Sequence, residues 1–199
     1  MGAAAAAVAA RHRRERDAAD PVGAVARNHT RALASIVLSA IWGGAALIVV
    51  AAVAPAAFKV LPTRSLAGAL VGEVLPVLFF SGIAVGVIVF ALTTRGAPGS
   101  IVRRVGAAGM IAGCAIAQLV IGPKIHALRE RIGPSVEALA ATDPLRVAFG
   151  TLHGLSVLAL GVAMVFALVA LIASVLAART IPLADRSSPE SPPPHLRRS

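Results

Sequence analysis

The sequence contains one cysteine, Cys114, one tryptophan and no tyrosine. A single cysteine excludes an intrachain disulfide bond and a cysteine-based zinc motif. The five histidines show no metal-ligand spacing such as His-x-x-x-His, and the chain contains no phosphate-binding loop, hydrolase elbow or metalloprotease motif. We therefore assign no catalytic residue and no metal site from motifs. These observations favour a protein without enzymatic activity, although they do not decide the question.

Charged residues are also scarce, at 14% of the chain, whereas 57% of the residues are hydrophobic and the mean hydropathy is +0.83. Soluble domains are far less hydropathic, so the composition favours a membrane protein. The formal net charge of +10 is typical of nucleic-acid-binding proteins. However, the arginines lie in short segments that flank apolar runs, with no basic aromatic face. We therefore expect no nucleic-acid partner.

Four apolar runs are long enough to cross a bilayer. They cover residues 33–55, 66–92, 105–121 and 144–178. The last run begins at Asp143-Pro144, which combines an N-cap with a proline at the first helical position. The third run should end at Gly122-Pro123, before an interfacial connector that is broken at Gly133-Pro134. The pattern predicts an all-α integral membrane protein, a four-helix transmembrane bundle.

The bundle is expected to occupy residues 32–179, between two disordered tails. Residues 1–31 form a basic tail, for which an amphipathic helix on anionic lipid is the alternative. Residues 180–199 form a tail rich in proline, serine and arginine.

The distribution of basic residues predicts the orientation of the helices. Thirteen arginines and lysines lie in the two tails and the loop between the second and third runs, and six lie in the other two loops. The positive-inside rule then places both termini in the cytoplasm. Seventeen arginines against two lysines, with abundant alanine and glycine, are typical of GC-rich bacterial genomes. We therefore expect a multi-pass protein of a bacterial cytoplasmic (inner) membrane.

Glycines spaced four residues apart recur along the apolar runs. The pairs are Gly68/Gly72, Gly82/Gly86, Gly109/Gly113 and Gly150/Gly154. Such pairs let helix backbones approach closely in lipid, and we expect at least two of them to be helix contacts. Glycine-rich faces can also join copies of one chain. The expected partners are therefore the lipid bilayer and a second copy in a homo-oligomer.

A few polar residues interrupt the apolar runs. Counted from the ends of the runs, Glu73, Gln118 and His153 fall at similar depth in the outer half of the bilayer. Ionisable groups within a bilayer are costly, so each is a functional hypothesis. We predict an intramembrane polar cluster of Glu73, Gln118, His153 and Ser156, in which Glu73 pairs with His153. Ser156 shares a helical stripe with His153, and this stripe should face the bundle interior.

Two interpretations of the cluster stay open. It is either a buried polar clasp that fixes helix register, or a functional site such as a proton relay, a ligand site or a haem or metal ligand. His153 is the candidate cofactor-binding residue, although one histidine and one glutamate are too few ligands for a closed zinc site. Met110 and Cys114 are spaced to offer soft copper ligands, but such residues usually pack in cores. No cofactor is predicted, and haem or copper is the alternative.

Several segments carry a family resemblance. They are F-G-T-L-H-G-L-S (Phe149 to Ser156), P-A-A-F-K-V-L-P (Pro55 to Pro62), A-G-A-L-V-G (Ala67 to Gly72) and G-P-K-I-H-A-L-R (Gly122 to Arg129). In these segments, and most specifically in the Leu-His-Gly-x-Ser element, the chain resembles the transmembrane protein 205-like family, also described as a bacterial domain of unknown function. The resemblance runs from roughly Ala34 to Ala178. It implies four transmembrane helices and carries no established catalytic residues. A looser similarity links the chain to four-helix membrane proteins of the copper-resistance and haem-oxidase type.

Three classes of function follow from these observations. The favoured class is a membrane protein with an accessory or structural role that oligomerises through its glycine faces. The alternatives are a haem- or metal-binding membrane protein that uses His153, and a transporter of a small solute. Four short helices leave little room for an alternating-access pathway within one copy.

Overall fold

The structure is a computed structural model that describes residues 8–9, 11–12, 15, 20–94, 96–97, 99–133 and 135–179. The expected C-terminal tail, residues 180–199, and most of the expected N-terminal tail lie outside these residues. Four helices of the described chain are long and apolar enough to cross a membrane, and we call them spans 1 to 4. They are Val22–Val60, Arg64–Leu92, Ser100–Ile132 and Pro144–Arg179. Since the described residues form no strand, the predicted all-α four-helix transmembrane fold is confirmed.

Span 1 begins earlier and ends later than its apolar run predicts. It consists of an α-helix, Pro21–Ile48, a π-helical segment, Val49–Val53, and a second α-helix, Ala54–Val60. The helix begins early because the Asp20 carboxylate accepts a hydrogen bond of 2.8 Å from the backbone N–H of Gly23. The last part of the expected disordered N-terminal tail is therefore helical.

Span 3 does not end at its internal glycine and proline, as the sequence predicted. An α-helix, Ser100–Ala115, continues through a π-helical segment, Ile116–Ile121, into Gly122–Ile132. Pro123 lacks the N–H of an ordinary helical residue. The preceding π turns have a wider hydrogen-bond spacing, and the helix can therefore continue through the proline. The proline of span 1 likewise follows a π-helical segment. The helix stops at Gly133, where a φ of +82° ends it as expected.

Spans 2 and 4 are each a single α-helix with a side-chain cap. The Thr63 hydroxyl accepts a hydrogen bond from the Leu66 N–H at 3.2 Å. The Asp143 carboxylate accepts one from the Leu145 N–H at 2.8 Å, which confirms the predicted start of span 4. A 3₁₀-helix, Val136–Ala138, lies in the connection that precedes it.

The four spans form a ring in chain order, and span 1 closes the ring against span 4. Spans 3 and 4 share the most extensive contact. We call the end where span 1 begins and span 4 ends the tail end of the bundle. The end with the connections after spans 1 and 3 is the opposite end.

The centre of the bundle is apolar. Trp42, Phe79, Met110 and Cys114 are at most 3% exposed and belong to one core cluster. The Trp42 indole N–H donates a hydrogen bond of 3.0 Å to the Leu78 carbonyl, which satisfies the polar atom of this large side chain. The core therefore joins all four spans by close packing, and the Trp42 hydrogen bond links spans 1 and 2.

Glycines bring the spans close together. A Cβ on Gly82 would lie 2.6 Å from the Cys114 sulfur, and one on Gly113 would lie 2.9 Å from the Ala159 carbonyl oxygen. Their pair partners Gly86 and Gly109 are equally crowded by side chains of neighbouring spans. The prediction that at least two glycine pairs are helix contacts is therefore confirmed.

The outer surface of the bundle is also apolar. Ile41, Val77, Ile101 and Val165 are each more than 60% exposed, one on each span. Surfaces of this kind are unfavourable in water and fit the hydrocarbon of a bilayer. The structure thus agrees with contact between all four spans and lipid.

Candidate functional site

The four residues of the predicted polar cluster do not bond to one another. Glu73 and His153 are exposed, Gln118 is half-buried and Ser156 is buried. Within the described part of the chain, no hydrogen bond or ion pair joins any two of them. The Glu73–His153 pair therefore stays a prediction.

His153 lies at the margin of the buried face of span 4. That face passes through Ser156, Leu160 and Ala163, each less than 9% exposed. The stripe that was expected to face the interior is thus interior only at Ser156. The His153 ring instead stacks on Phe149, with ring centroids 6.2 Å apart and an angle of 6° between the planes.

An arginine that the sequence analysis did not single out completes this arrangement. The Arg129 guanidinium carbon lies 5.5 Å from the centre of the Phe149 ring, at a cation–π distance. We call Arg129, Phe149 and His153 the Arg129 stack. Gly68 and Gly72 face the guanidinium. A Cβ on Gly68 would lie 3.2 Å from one guanidinium nitrogen, which is a tight contact, and a Cβ on Gly72 would lie 3.5 Å from the other, which is an ordinary van der Waals contact. This glycine pair therefore accommodates a side chain of span 3 and not a helix backbone.

The Arg129 stack lies near a border of the apolar layer. Between Arg104 and Lys124, span 3 is a continuous helix of about 20 residues, which rises about 30 Å. This distance equals the thickness of a bilayer's hydrocarbon core. Arg129 lies beyond Lys124, and Glu73 directly follows Gly72, which faces the Arg129 guanidinium. The depth of Glu73 and His153 in the outer half of the bilayer stays a prediction.

The proposed soft copper ligands lie in the core. Met110 is 1% exposed, Cys114 is fully buried, and both pack among apolar side chains. This placement supports core packing as their role. Within the described residues, no three histidine, cysteine or acidic side chains come together as a metal site. Haem or copper binding through His153 stays an untested alternative.

A second polar group fills the tail end of the bundle, and the sequence analysis missed it. Spans 1, 3 and 4 each contribute one residue, and the residue that follows span 2 contributes the fourth. Each of them is at most 4% exposed: Ser35, Arg103, Ser174 and Thr93. Arg103 falls in the basic loop that the sequence predicts between the second and third apolar runs, whereas the helix already begins at Ser100. The signal was the spacing of Arg103 from Gly106, Ala107 and Met110, which places it on the buried face of span 3.

Arg103 has few partners for a buried charge. Its guanidinium donates a hydrogen bond of 3.3 Å to the Ser35 hydroxyl, and its Nε has no partner. The adjacent Arg104 donates to the Thr93 carbonyl at 2.9 Å and lies over the Phe90 ring at 5.1 Å. Its Nε is also buried without a partner.

A third arginine belongs to the same group. Arg31 of span 1 donates to the Thr94 hydroxyl at 3.4 Å, and Thr94 in turn donates to the Asn28 side-chain oxygen at 3.3 Å. We call Arg31, Arg103 and Arg104 the inner arginine cluster. In the described part of the chain, no carboxylate forms an ion pair with any of the three.

A comparison with models of protein families gives a match. Residues 37–133 match the model of a family described as a domain of unknown function, DUF4149. The match covers most of span 1 and all of spans 2 and 3, a little less than half of the chain, and ends before the Leu-His-Gly-x-Ser element of span 4. No curated protein and no solved structure matches the chain. The chain is thus similar to an uncharacterised family of which no activity is stated.

Proposed function

We propose that this protein has an accessory or structural role in the cytoplasmic membrane of a bacterium, and that it acts as a homo-oligomer. The observation that carries the proposal is a glycine face on span 4. Gly150, Gly154 and Gly161 lie on one helical stripe, and a Cβ on any of them would meet nothing within 4 Å. Gly43 and Gly44 of span 1 are also open, whereas Gly106, Gly109 and Gly113 of span 3 are crowded by atoms of span 4. A small-residue stripe that one copy leaves open fits a helix of another copy.

Cross-linking and single-molecule photobleaching of the full-length protein in liposomes test this role. The double substitution Gly150→Leu/Gly154→Leu should convert oligomers into single copies, since leucine would block close approach. The monomer fold should survive, because both sites are open. Val162→Leu, also exposed on span 4 but off the glycine face, is the matched control and should leave the oligomer intact. Oligomers that persist in the double variant would contradict the proposal.

The orientation is part of the same proposal. The basic residues at the tail end support a cytoplasmic location of both tails: Arg31 lies on span 1, and Arg103 and Arg104 lie on span 3. A fluorescent protein fused after Ser199 should fold and fluoresce. A periplasmic alkaline phosphatase inserted in the connection after Gly133 should be active. The opposite pair of results would reverse the orientation.

The two alternative functions are tested with the same purified protein. A Soret band or stoichiometric metal that is lost in His153→Ala would establish the cofactor alternative. Flux of a small solute into liposomes that contain the protein would establish the transport alternative. A colourless, metal-free and flux-inactive preparation that still oligomerises supports the accessory role.

A further inference from the structure

The inner arginine cluster concentrates positive charge that the described protein does not neutralise. Arg103 is 4% exposed, and its one hydrogen-bond partner is the neutral Ser35 hydroxyl. Arg104 and Arg31 are bonded only to the neutral oxygens of Thr93 and Thr94. Buried charges in proteins are ordinarily paired with opposite charges, because removing them from water is costly. The cluster therefore carries positive charge that has no negatively charged partner among the described residues.

The start of span 3 adds to this positive potential. Its N-cap, Gly99, has a φ of +68° and supplies no side-chain acceptor. The first N–H groups of a helix lack internal partners and carry a partial positive charge. The unpartnered Nε of Arg103, one turn into this helix and buried, is a separate sign that an acceptor is missing.

Acidic side chains of the described chain do not reach the cluster. Glu73, Glu130, Glu137 and Asp143 belong to the opposite end. Asp20 bonds to Arg27 and caps span 1, and Glu15 pairs with Arg11 and contacts His12. An anion that neutralises the cluster would therefore have to come from outside the described chain.

The position of the cluster indicates which kind of anion could bind to it. Arg104 marks one border of the apolar layer, which is the level of lipid phosphates. Arg31 and Arg104 are half-buried and therefore reachable from outside. Guanidinium groups offer forked donors that match phosphate oxygens, and basic pockets between membrane helices bind anionic headgroups. We infer that the inner arginine cluster binds a phosphate group between spans 1, 2 and 3.

Binding of the full-length protein in nanodiscs tests the inference. Native mass spectrometry would count retained lipids in discs of phosphatidylglycerol and phosphatidylcholine, and a titration would give the apparent affinity. Wild type should retain phosphatidylglycerol in preference to phosphatidylcholine. Arg104→Gln should weaken its retention about fivefold, the effect of one arginine at a charged surface. Arg104→Lys should restore part of the affinity.

Arg129→Gln is the matched control, because Arg129 is also half-buried on span 3 and also lies over a phenylalanine ring. It should bind as wild type does. Cys114 is fully buried, so its resistance to maleimide shows that each variant is folded. Equal retention by wild type and Arg104→Gln, or equal losses in both variants, would overturn the inference.

Two further arms identify the source of the anion. Inorganic phosphate that raises the thermal stability of lipid-poor protein in detergent, and that does so less in Arg104→Gln, would make free phosphate the ligand. Stabilisation by phosphatidylglycerol alone would make it a headgroup. Asp17, Asp185 and Glu190 lie outside the described residues. If lipid retention appeared only after all three were neutralised, carboxylates of the tails would occupy the cluster and the inference would be wrong.

Discussion

Replacing Gly106 with alanine tests whether backbone contact between spans 3 and 4 holds the bundle together. A Cβ at this position would lie 2.8 Å from the Ala170 nitrogen and 2.9 Å from both the Ala170 Cβ and the Phe166 carbonyl oxygen. Real Cβ atoms do not approach so closely. The atoms in the way belong to the backbone of a long helix, so no side-chain rotation relieves the clash. The two spans must separate.

The magnitude follows from two opposing contributions. Overpacking of a well-packed core costs about 1–3 kcal/mol, and three short contacts place Gly106→Ala in that range. Alanine in place of glycine favours the helix by about 1 kcal/mol. Gly161→Ala is the matched control, because it gains the same helical preference in open space. The preference cancels between the two variants, so Gly106→Ala should be about 1–3 kcal/mol less stable than Gly161→Ala.

Reversible unfolding in mixed micelles, with increasing SDS, measures this difference. Cys114 is fully buried and is the only cysteine, so maleimide labelling reports the unfolded fraction directly. The same measurement on both variants and on wild type gives the three free energies of unfolding. If Gly106→Ala were as stable as Gly161→Ala, spans 3 and 4 would separate without cost, and the close backbone contact would not stabilise the fold.

Three further predictions concern single residues. Trp42→Phe removes the hydrogen bond to the Leu78 carbonyl and should lower the free energy of unfolding by about 0.5–1.5 kcal/mol. Cys114 labelling in SDS measures this difference. An unchanged free energy of unfolding would mean that the bond is not formed. Wild-type Trp42, the only tryptophan, should emit at short wavelength and resist acrylamide, and a solvent-like emission would contradict its burial. The Gly23 N–H and then the Arg27 guanidinium hold the pKa of the Asp20 carboxyl below its usual 3.8. Because the pKa of this carboxyl is lower in the folded than in the unfolded protein, the ionised Asp20 stabilises the helix start at pH values above the unfolded pKa. Protection of the first turn of span 1 against hydrogen exchange should therefore fall as the pH drops through 4 and below. Asp20→Asn should remove this pH dependence.

The number and order of the spans could be predicted from the sequence, because hydropathy over about 20 residues depends only on composition. The ends of spans 1 and 3 could not be predicted. Glycine and proline at Gly122-Pro123 ordinarily end a helix, and only the π-helical segment before them lets the helix continue to Ile132. Such a segment has no sequence signature independent of the proline itself.

The face on which a polar residue lies was hard to predict from the sequence. Arg103 follows loop-forming residues, so its charge was counted toward topology and not toward the interior. Gly68 and Gly72 have the same spacing as the glycines that contact helices, yet they accommodate the Arg129 side chain. Spacing shows that a position is small, but it does not show whether a backbone or a side chain approaches it.

The distribution of polar side chains connects the transport alternative with oligomerisation. The centre of the bundle is filled by Trp42, Met110, Cys114 and alanines in close contact, whereas the arginines lie at the two ends. A solute pathway through one copy would have to open this core against its packing. A pathway between copies would use the face of span 4 that carries Gly150 and Gly154. Flux, if it is found, should therefore be lost together with oligomers in Gly150→Leu/Gly154→Leu. Flux that persisted in single copies would require the core itself to open.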